Sequence, residues 1–478
     1  MKKSKIYIAL SHLNIYELNS FKKFVGSPYF NANEKLSKYY EYLEKYLKGR
    51  KEGEIHKEDI WYYVNPGAKF DDIKFRKLTS DLLKLLERFL AQQVYDKNNL
   101  NIAINLLEKI SKKKIMKLYN SVLATADRLS LRHIDRNSDY YYYLYVFEKN
   151  KFNLTSEFEK KSKKKQKYNW LNLDKIGENL DVFYIGEKLK LYTTLASWKR
   201  VYKLDIDLNF IDEVIDFVKK IDYEKFPPVA IYYQIYLTIV DNENVEHYHK
   251  LKDMISKHID SFPKEEAGDI YDSALNYCIH RINSGETGFY KEILSLYREM
   301  IDHDMIVEEE GLNPTRFRNI VITALRLKEY EWAEEFIDKY KDFIPEKYRA
   351  NAVTFNLARL YYYKKDYKKV IEHLRDVEFD DMFYELSSKT ILIKTYYDTG
   401  EVDPLYFLLD SFNAFLNRNK RIIPDRRRKN YKLLIKFVKK LLNVNPFDKD
   451  EVKKLKTEIK NSNNFPDKQW VIEKAEEL

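Results

Sequence analysis

Three blocks between residues 314 and 412 repeat one pattern at offsets of 37 and 35 residues, and no other feature of the chain restricts its fold as strongly. Setting NAVTFNLARLYYYKKDYKKVIEHL (351–374) against FRNIVITALRLKEYEWAEEFI (317–337) pairs Tyr367 with Tyr330, Val370 with Ala333 and Leu374 with Ile337. Against KTILIKTYYDTGEVDPLYFLL (389–409), Tyr361 and Tyr362 fall over Tyr396 and Tyr397, and Lys365 falls over Gly400. A period near 34 residues is that of a pair of short helices. Such a pair leaves an apolar face that only the next pair covers, so small residues such as Ala333 and Ala358 recur where helices touch. A weaker candidate precedes these blocks: in LNYCIHRINSGETGFYKEIL (275–294) a glycine-containing turn separates two periodic stretches.

Within 351–374, Leu357, Ala358, Tyr361, Tyr362, Asp366, Tyr367, Ile371 and Leu374 stand at the small, aromatic and apolar positions of a tetratricopeptide repeat, which the block resembles. The resemblance implies an all-α fold, an α-solenoid of tetratricopeptide-like helical hairpins with an N-terminal helical unit. It also implies a concave groove lined by the inner helix of each pair. The matching positions are Arg318, Ile322, Leu325 and Arg326, then Phe355, Arg359, Tyr362 and Tyr363, then Thr390, Lys394 and Tyr397. Basic groups among aromatic rings suit an extended acidic peptide or a C-terminal carboxylate. The chain further resembles a family of helical proteins of Bacteroidota genomes, through SPYFN (27–31), FDDIKFRKLTSDLLKLLERFL (70–90) and LDVFYIGEKLKL (180–191). That family has no assigned activity, so the resemblance implies cytoplasmic helical repeats and no particular chemistry.

Residues 1–97 read as a separate helical unit. Asn14 with Glu17 three residues on is a helix start, and Leu18, Phe21, Phe24 and Val25 follow at helical spacing. Gly26 and Pro28 stop that helix. A second helix carries Leu36, Tyr40, Leu43 and Leu47, a third spans Glu58 to Val64, and a fourth starts near Asp71–Asp72 and runs through Phe89. The short third helix, the Asn65–Pro66–Gly67 turn and Lys74, Arg76 and Lys77 on the fourth resemble a helix-turn-helix in outline, or a plain αα-hairpin. Irregular helical hairpins are expected over 98–310, tetratricopeptide-like repeats over 311–440 and capping helices over 441–478. In the middle region at most two of Tyr140 to Tyr143 can face the core, and Pro227–Pro228 mark a loop between helical pairs.

Composition agrees with helices. The chain has only 11 Gly and 11 Pro in 478 residues, while 44% is hydrophobic and 15% aromatic; that is too apolar for disorder and too poor in turn residues for many strands. Net charge is +10, divided as +16 over residues 1–200 and −6 over the rest. A basic front half fits an anionic partner such as nucleic acid, or a merely lysine-rich composition. The apolar run Ile6 to Leu10 is too short for a signal peptide, and no run approaches the roughly 20 residues of a membrane span. A cytoplasmic protein with no membrane partner is expected; the sequence leaves oligomeric state open.

No catalytic motif stands out. The one cysteine, Cys278, lies among apolar neighbours as a buried structural thiol does. His247 and His249 are two apart, which on a helix turns them to different faces, and no HExxH is present. Gly285 and Gly288 lack the lysine of a phosphate loop. A non-enzymatic protein without cofactor or metal is expected. The basic run Arg418, Lys420, Arg421, Arg426, Arg427, Arg428, Lys429 and Lys432 is either a phosphate-neutralising or acidic-peptide patch, or a solvated loop whose arginine stems cover apolar surface. A second basic run comprises Lys160, Lys161, Lys163, Lys164, Lys165 and Lys167, and a third Lys112 to Lys114. The functional expectation is a binding scaffold for a protein or peptide, with nucleic-acid association as the alternative.

Overall fold

A computed structural model describes residues 1–132, 134–159, 172–202, 209–374 and 382–478. Among these residues every regular element is helical, and none of the helices is long and apolar enough to cross a membrane. The protein is an all-α chain of helical repeats. Two units divide it, Met1–Lys188 and Leu189–Leu478.

The first unit opens with α1 (Lys5–Ser11), α2 (Ile15–Gly26), α3 (Glu34–Leu47), α4 (Lys57–Val64) and α5 (Asp72–Lys97). The capping box is formed. The Asn14 side chain accepts from the Glu17 backbone N–H, and the Glu17 carboxylate accepts from the Asn14 N–H, each at 3.0 Å. Leu18, Phe21, Phe24 and Val25 are all buried. Phe21 meets Tyr40 of α3 edge-on at 4.8 Å and lies 5.3 Å from Phe89 of α5. Buried Glu44 is held by Lys22 at 2.8 Å and Lys48 at 2.5 Å. α1, which the periodicity does not single out, starts at a Ser4 cap and buries Ile6 and Leu10.

The unit continues through α6 (Asn99–Lys113), α7 (Met116–Arg132), α8 (Ser138–Glu159) and α9 (Leu173–Tyr202), the last of which runs on into the second unit. Of the four-tyrosine block only Tyr140 is buried, whereas Tyr142 is exposed and contacts Phe183 at 5.2 Å. The lysine run at Lys160–Lys167 lies outside the described residues.

The second unit adds α10 (Ile211–Val218), and then five helix pairs: α11 (Pro227–Val240) with α12 (Val245–His258), α13 (Lys264–Asn283) with α14 (Phe289–Asp302), α15 (Pro314–Arg326) with α16 (Tyr330–Tyr340), α17 (Glu346–Tyr363) with α18 (Tyr367–Leu374), and α19 (Met382–Thr399) with α20 (Val402–Arg418). The first helices of successive pairs pack on one another at α11–α13, α15–α17 and α17–α19. α13 and α15 are joined by an Arg316–Asp272 ion pair of 2.9 Å. Ala324, Ala333, Ala352 and Ala358 are completely buried, as close helix approach demands. α21 (Asp425–Asn443), α22 (Lys449–Asn461) and α23 (Lys468–Glu476) close the chain and share a core with α19 and α20 through Ile393, Leu409, Phe412, Val438 and Val471.

The sequence alignment of the repeats is also the register of their turns. Lys328, Lys365 and Gly400 occupy equivalent positions and all adopt left-handed backbone, with φ of 62°, 60° and 73°. The next residue of each turn donates its N–H to the carbonyl five residues back, Glu329 to Ala324, Asp366 to Tyr361 and Glu401 to Tyr396, every time at 2.9 Å. This is a Schellman cap. It also ends α13, where Gly285 has φ 107° and Glu286 bonds to Arg281. One expectation is corrected: Pro227–Pro228 do not form a loop. Pro227 opens α11, where the N–H it lacks has no intrahelical partner and its fixed φ suits the first turn.

Only glycine enters the left-handed region without steric cost. Gly400→Ala is expected to lower stability by about 1 kcal/mol, and Lys365→Gly to raise it by about 0.5 kcal/mol after the added freedom of the unfolded chain is counted. Urea denaturation of the full-length protein reads both changes, and opposite signs are the diagnostic result.

Candidate functional site

Helices α15 and α17 carry three of the expected groove residues. Arg318 is half-buried and donates to Asn319 Oδ1 at 3.2 Å, and exposed Arg326 lays its guanidinium over the Tyr290 ring at 5.2 Å. Arg359, one helix further on, stacks over Phe355 at 5.1 Å. Its Nη1 is sealed from solvent and has no hydrogen-bond partner among the described residues. Burial holds this guanidinium below the usual arginine range. Asp467 and Tyr363 oppose that shift, while the charges of Arg318 and Arg326 add to it. A buried donor without an acceptor is costly, and two more cations nearby raise that cost.

The remaining groove positions are engaged by the end of the chain itself. Lys394, nearly buried at 11% side-chain exposure, pairs with Asp467 at 2.9 Å and lies over the Tyr362 ring at 4.6 Å. The Tyr362 hydroxyl donates to Asp398 at 2.9 Å, and Asp398 pairs with Lys474 of α23 at 3.1 Å. Burial, reinforced by Asp398, pushes the Tyr362 phenol far above the ordinary tyrosine range. Tyr397 meets Trp470 of α23 edge-on at 5.4 Å. Phe355 is fully buried against Tyr384, and Leu325 and Thr390 are buried too, so these three belong to the core and not to an open wall. Asp398, Asp467, Trp470 and Lys474 carry no repeat signature, because the contact from Lys394 to Asp467 spans 73 residues and no local pattern encodes it.

The basic run lies where α20 ends and α21 begins. Arg418, Lys420, Arg421, Arg426 and Arg427 are exposed and without an ion pair among the described residues. Arg428 and Lys429 both pair with Asp425, and Lys432 donates to Asn417 at 2.8 Å. Arg426, Arg427 and Arg428 occupy the first turn of α21, the end of a helix that disfavours cations.

Elsewhere the candidate groups are structurally committed. At the helix-turn-helix-like segment, Lys74 pairs with Asp71 at 3.2 Å and Arg76 with Asp72 at 2.7 Å. The Trp61 indole locks the intervening turn by donating to the Lys69 carbonyl at 3.0 Å. Cys278 is buried, and burial pushes its thiol up to about 12, with a Tyr248 hydrogen bond pulling the other way. Among the described residues no three His, Cys, Asp or Glu converge as a metal site would require. No family model, no curated protein and no solved structure matches the chain.

Arg359 sits in an environment that disfavours its own charge. Arg359→Met keeps much of the side-chain volume and removes the unmet donor. It is expected to stabilise the protein by about 1–2 kcal/mol. Thermal unfolding monitored by circular dichroism measures this; a lower Tm would show that the guanidinium is instead held by a structural partner.

Proposed function

We propose that this protein is a non-catalytic scaffold whose inner repeat helices hold an acidic segment of a protein partner. The observation that carries this reading is the Arg359 guanidinium, whose sealed Nη1 has no hydrogen-bond partner among the described residues and which is flanked by Arg318 and Arg326. Natural proteins retain such costly arrangements where a ligand completes them. Arginine suits the role because its planar fork takes a carboxylate through two parallel bonds. Two consecutive hairpins also fix the separation of these cations, which favours an extended ligand over a compact one. The closure of α19 by Asp467 and α23 sets one end of the available surface.

The test is direct. A fluorescein-labelled glutamate-rich peptide is titrated with the full-length protein and followed by anisotropy. Binding is expected to weaken with added salt, and Arg318→Glu with Arg326→Glu is expected to reduce affinity at least tenfold, about 1.4 kcal/mol. Both residues are surface-accessible, so the fold survives the change. Affinity unaffected by the double reversal would remove the groove from the account.

A second reading is favoured by the five exposed cations between Arg418 and Arg427, none of which has an ion pair among the described residues: association with a nucleic-acid backbone. Retention of an oligonucleotide that Arg426→Gln and Arg427→Gln abolish, and that the groove reversals leave intact, would select it.

A further inference from the structure

A cavity of about 520 Å³ opens between the second-unit part of α9, α11 and α13, away from the arginine cluster. The three helices are fixed there by one carboxylate. Glu266 of α13 accepts from Lys190 of α9 and from the Tyr232 hydroxyl of α11, each at 2.7 Å. Among the described residues that line the cavity there is no lysine, arginine, aspartate or glutamate, although 33% of the chain is charged.

The lining is rich in hydroxyl and amide groups. Thr193, Thr194, Thr238 and Ser273 all donate their hydroxyl protons to backbone carbonyls three or four residues back, at 2.7 to 3.0 Å. Acceptor capacity remains on these oxygens. His280 Nε2 lies 3.2 Å from the Asn242 amide nitrogen, which can only donate, so the single lone pair of that ring nitrogen is already engaged. Asn276 and Asn283, two helical turns apart on α13 and both exposed, each carry donors and an acceptor. The large indole of Trp198 also lines the cavity while 52% exposed. Ile279, itself 39% exposed, adds apolar surface.

We propose that this cavity binds a neutral polyhydroxylated ligand, a saccharide of one or two rings. Each sugar hydroxyl both donates and accepts, which matches a lining of hydroxyl and amide groups. The described lining offers no counter-ion to phosphate, carboxylate or ammonium groups, which would be desolvated unpaired. The C–H face of a pyranose covers the exposed indole while its hydroxyls meet the threonine and asparagine oxygens. The volume lies within the range of small-ligand sites.

Isothermal titration of the full-length protein with glucose, maltose and cellobiose tests this, with glucuronate and a neutral tetrapeptide as comparison arms. At least one neutral sugar is expected to bind saturably with Kd of about 1 mM or tighter. Trp198→Ala is expected to cost at least tenfold in affinity while Trp198→Phe retains most of it, and Asn276→Ala to weaken binding severalfold. Both positions are exposed, and unchanged far-UV circular dichroism separates lost binding from lost fold. Glucuronate binding as tightly as glucose, preference for the tetrapeptide, or no saturable heat from any sugar would overturn the proposal. These outcomes are independent of the arginine groove, whose variants leave this cavity intact.

Discussion

Everything in the second unit depends on how one helical hairpin is made to lean on the next. Two devices enforce it. The left-handed turn at Lys328, Lys365 and Gly400 reverses the chain with the same 2.9 Å backbone bond each time. Completely buried alanines then let neighbouring helices approach closely. Neither hairpin buries its apolar face alone, so order propagates from neighbour to neighbour. Lysine at two of the three turn positions shows that stacking tolerates a local backbone cost of order 1 kcal/mol.

That regularity also fixes how surface groups are spaced. The exposed stripe of each inner helix arrives at a fixed separation from the next, so side chains far apart in sequence share one field. In α15 and α17 the stripe carries Arg318, Arg326 and Arg359, and their mutual repulsion is absorbed by a rigid frame. In α9, α11 and α13 the described cavity lining carries hydroxyls and amides and no formal charge. One architecture thus presents two chemically opposite surfaces, distinguished only by the residues written onto the same kind of helix face.

The parts legible in the sequence are those encoded locally. Asn14 with Glu17 announces a capping box, the spacing of Leu18, Phe21, Phe24 and Val25 announces a buried stripe, and the Gly400–Lys365 equivalence announces a shared turn. Dihedral angles and hydrogen bonds bear these out. Pro227–Pro228 read as a loop in the sequence because proline interrupts helices, but the same residue suits a helix's first turn, which is where Pro227 stands. Phe355 illustrates a second limit: repeat position places a residue on the inner helix but does not say which part of that helix its neighbours cover. The closure of α19 by Asp467, Trp470 and Lys474 was illegible, since a contact across about 70 residues leaves no periodic trace.

Hydrogen–deuterium exchange of the full-length protein, with and without saturating glutamate-rich peptide, addresses the central claim most directly. Exchange of surface-opening amides slows where a ligand suppresses local fluctuation. The account requires protection concentrated in α15 and α17, with α16, α18 and α20 unchanged. Protection confined to residues 418–429, or spread evenly over inner and outer helices, would contradict it.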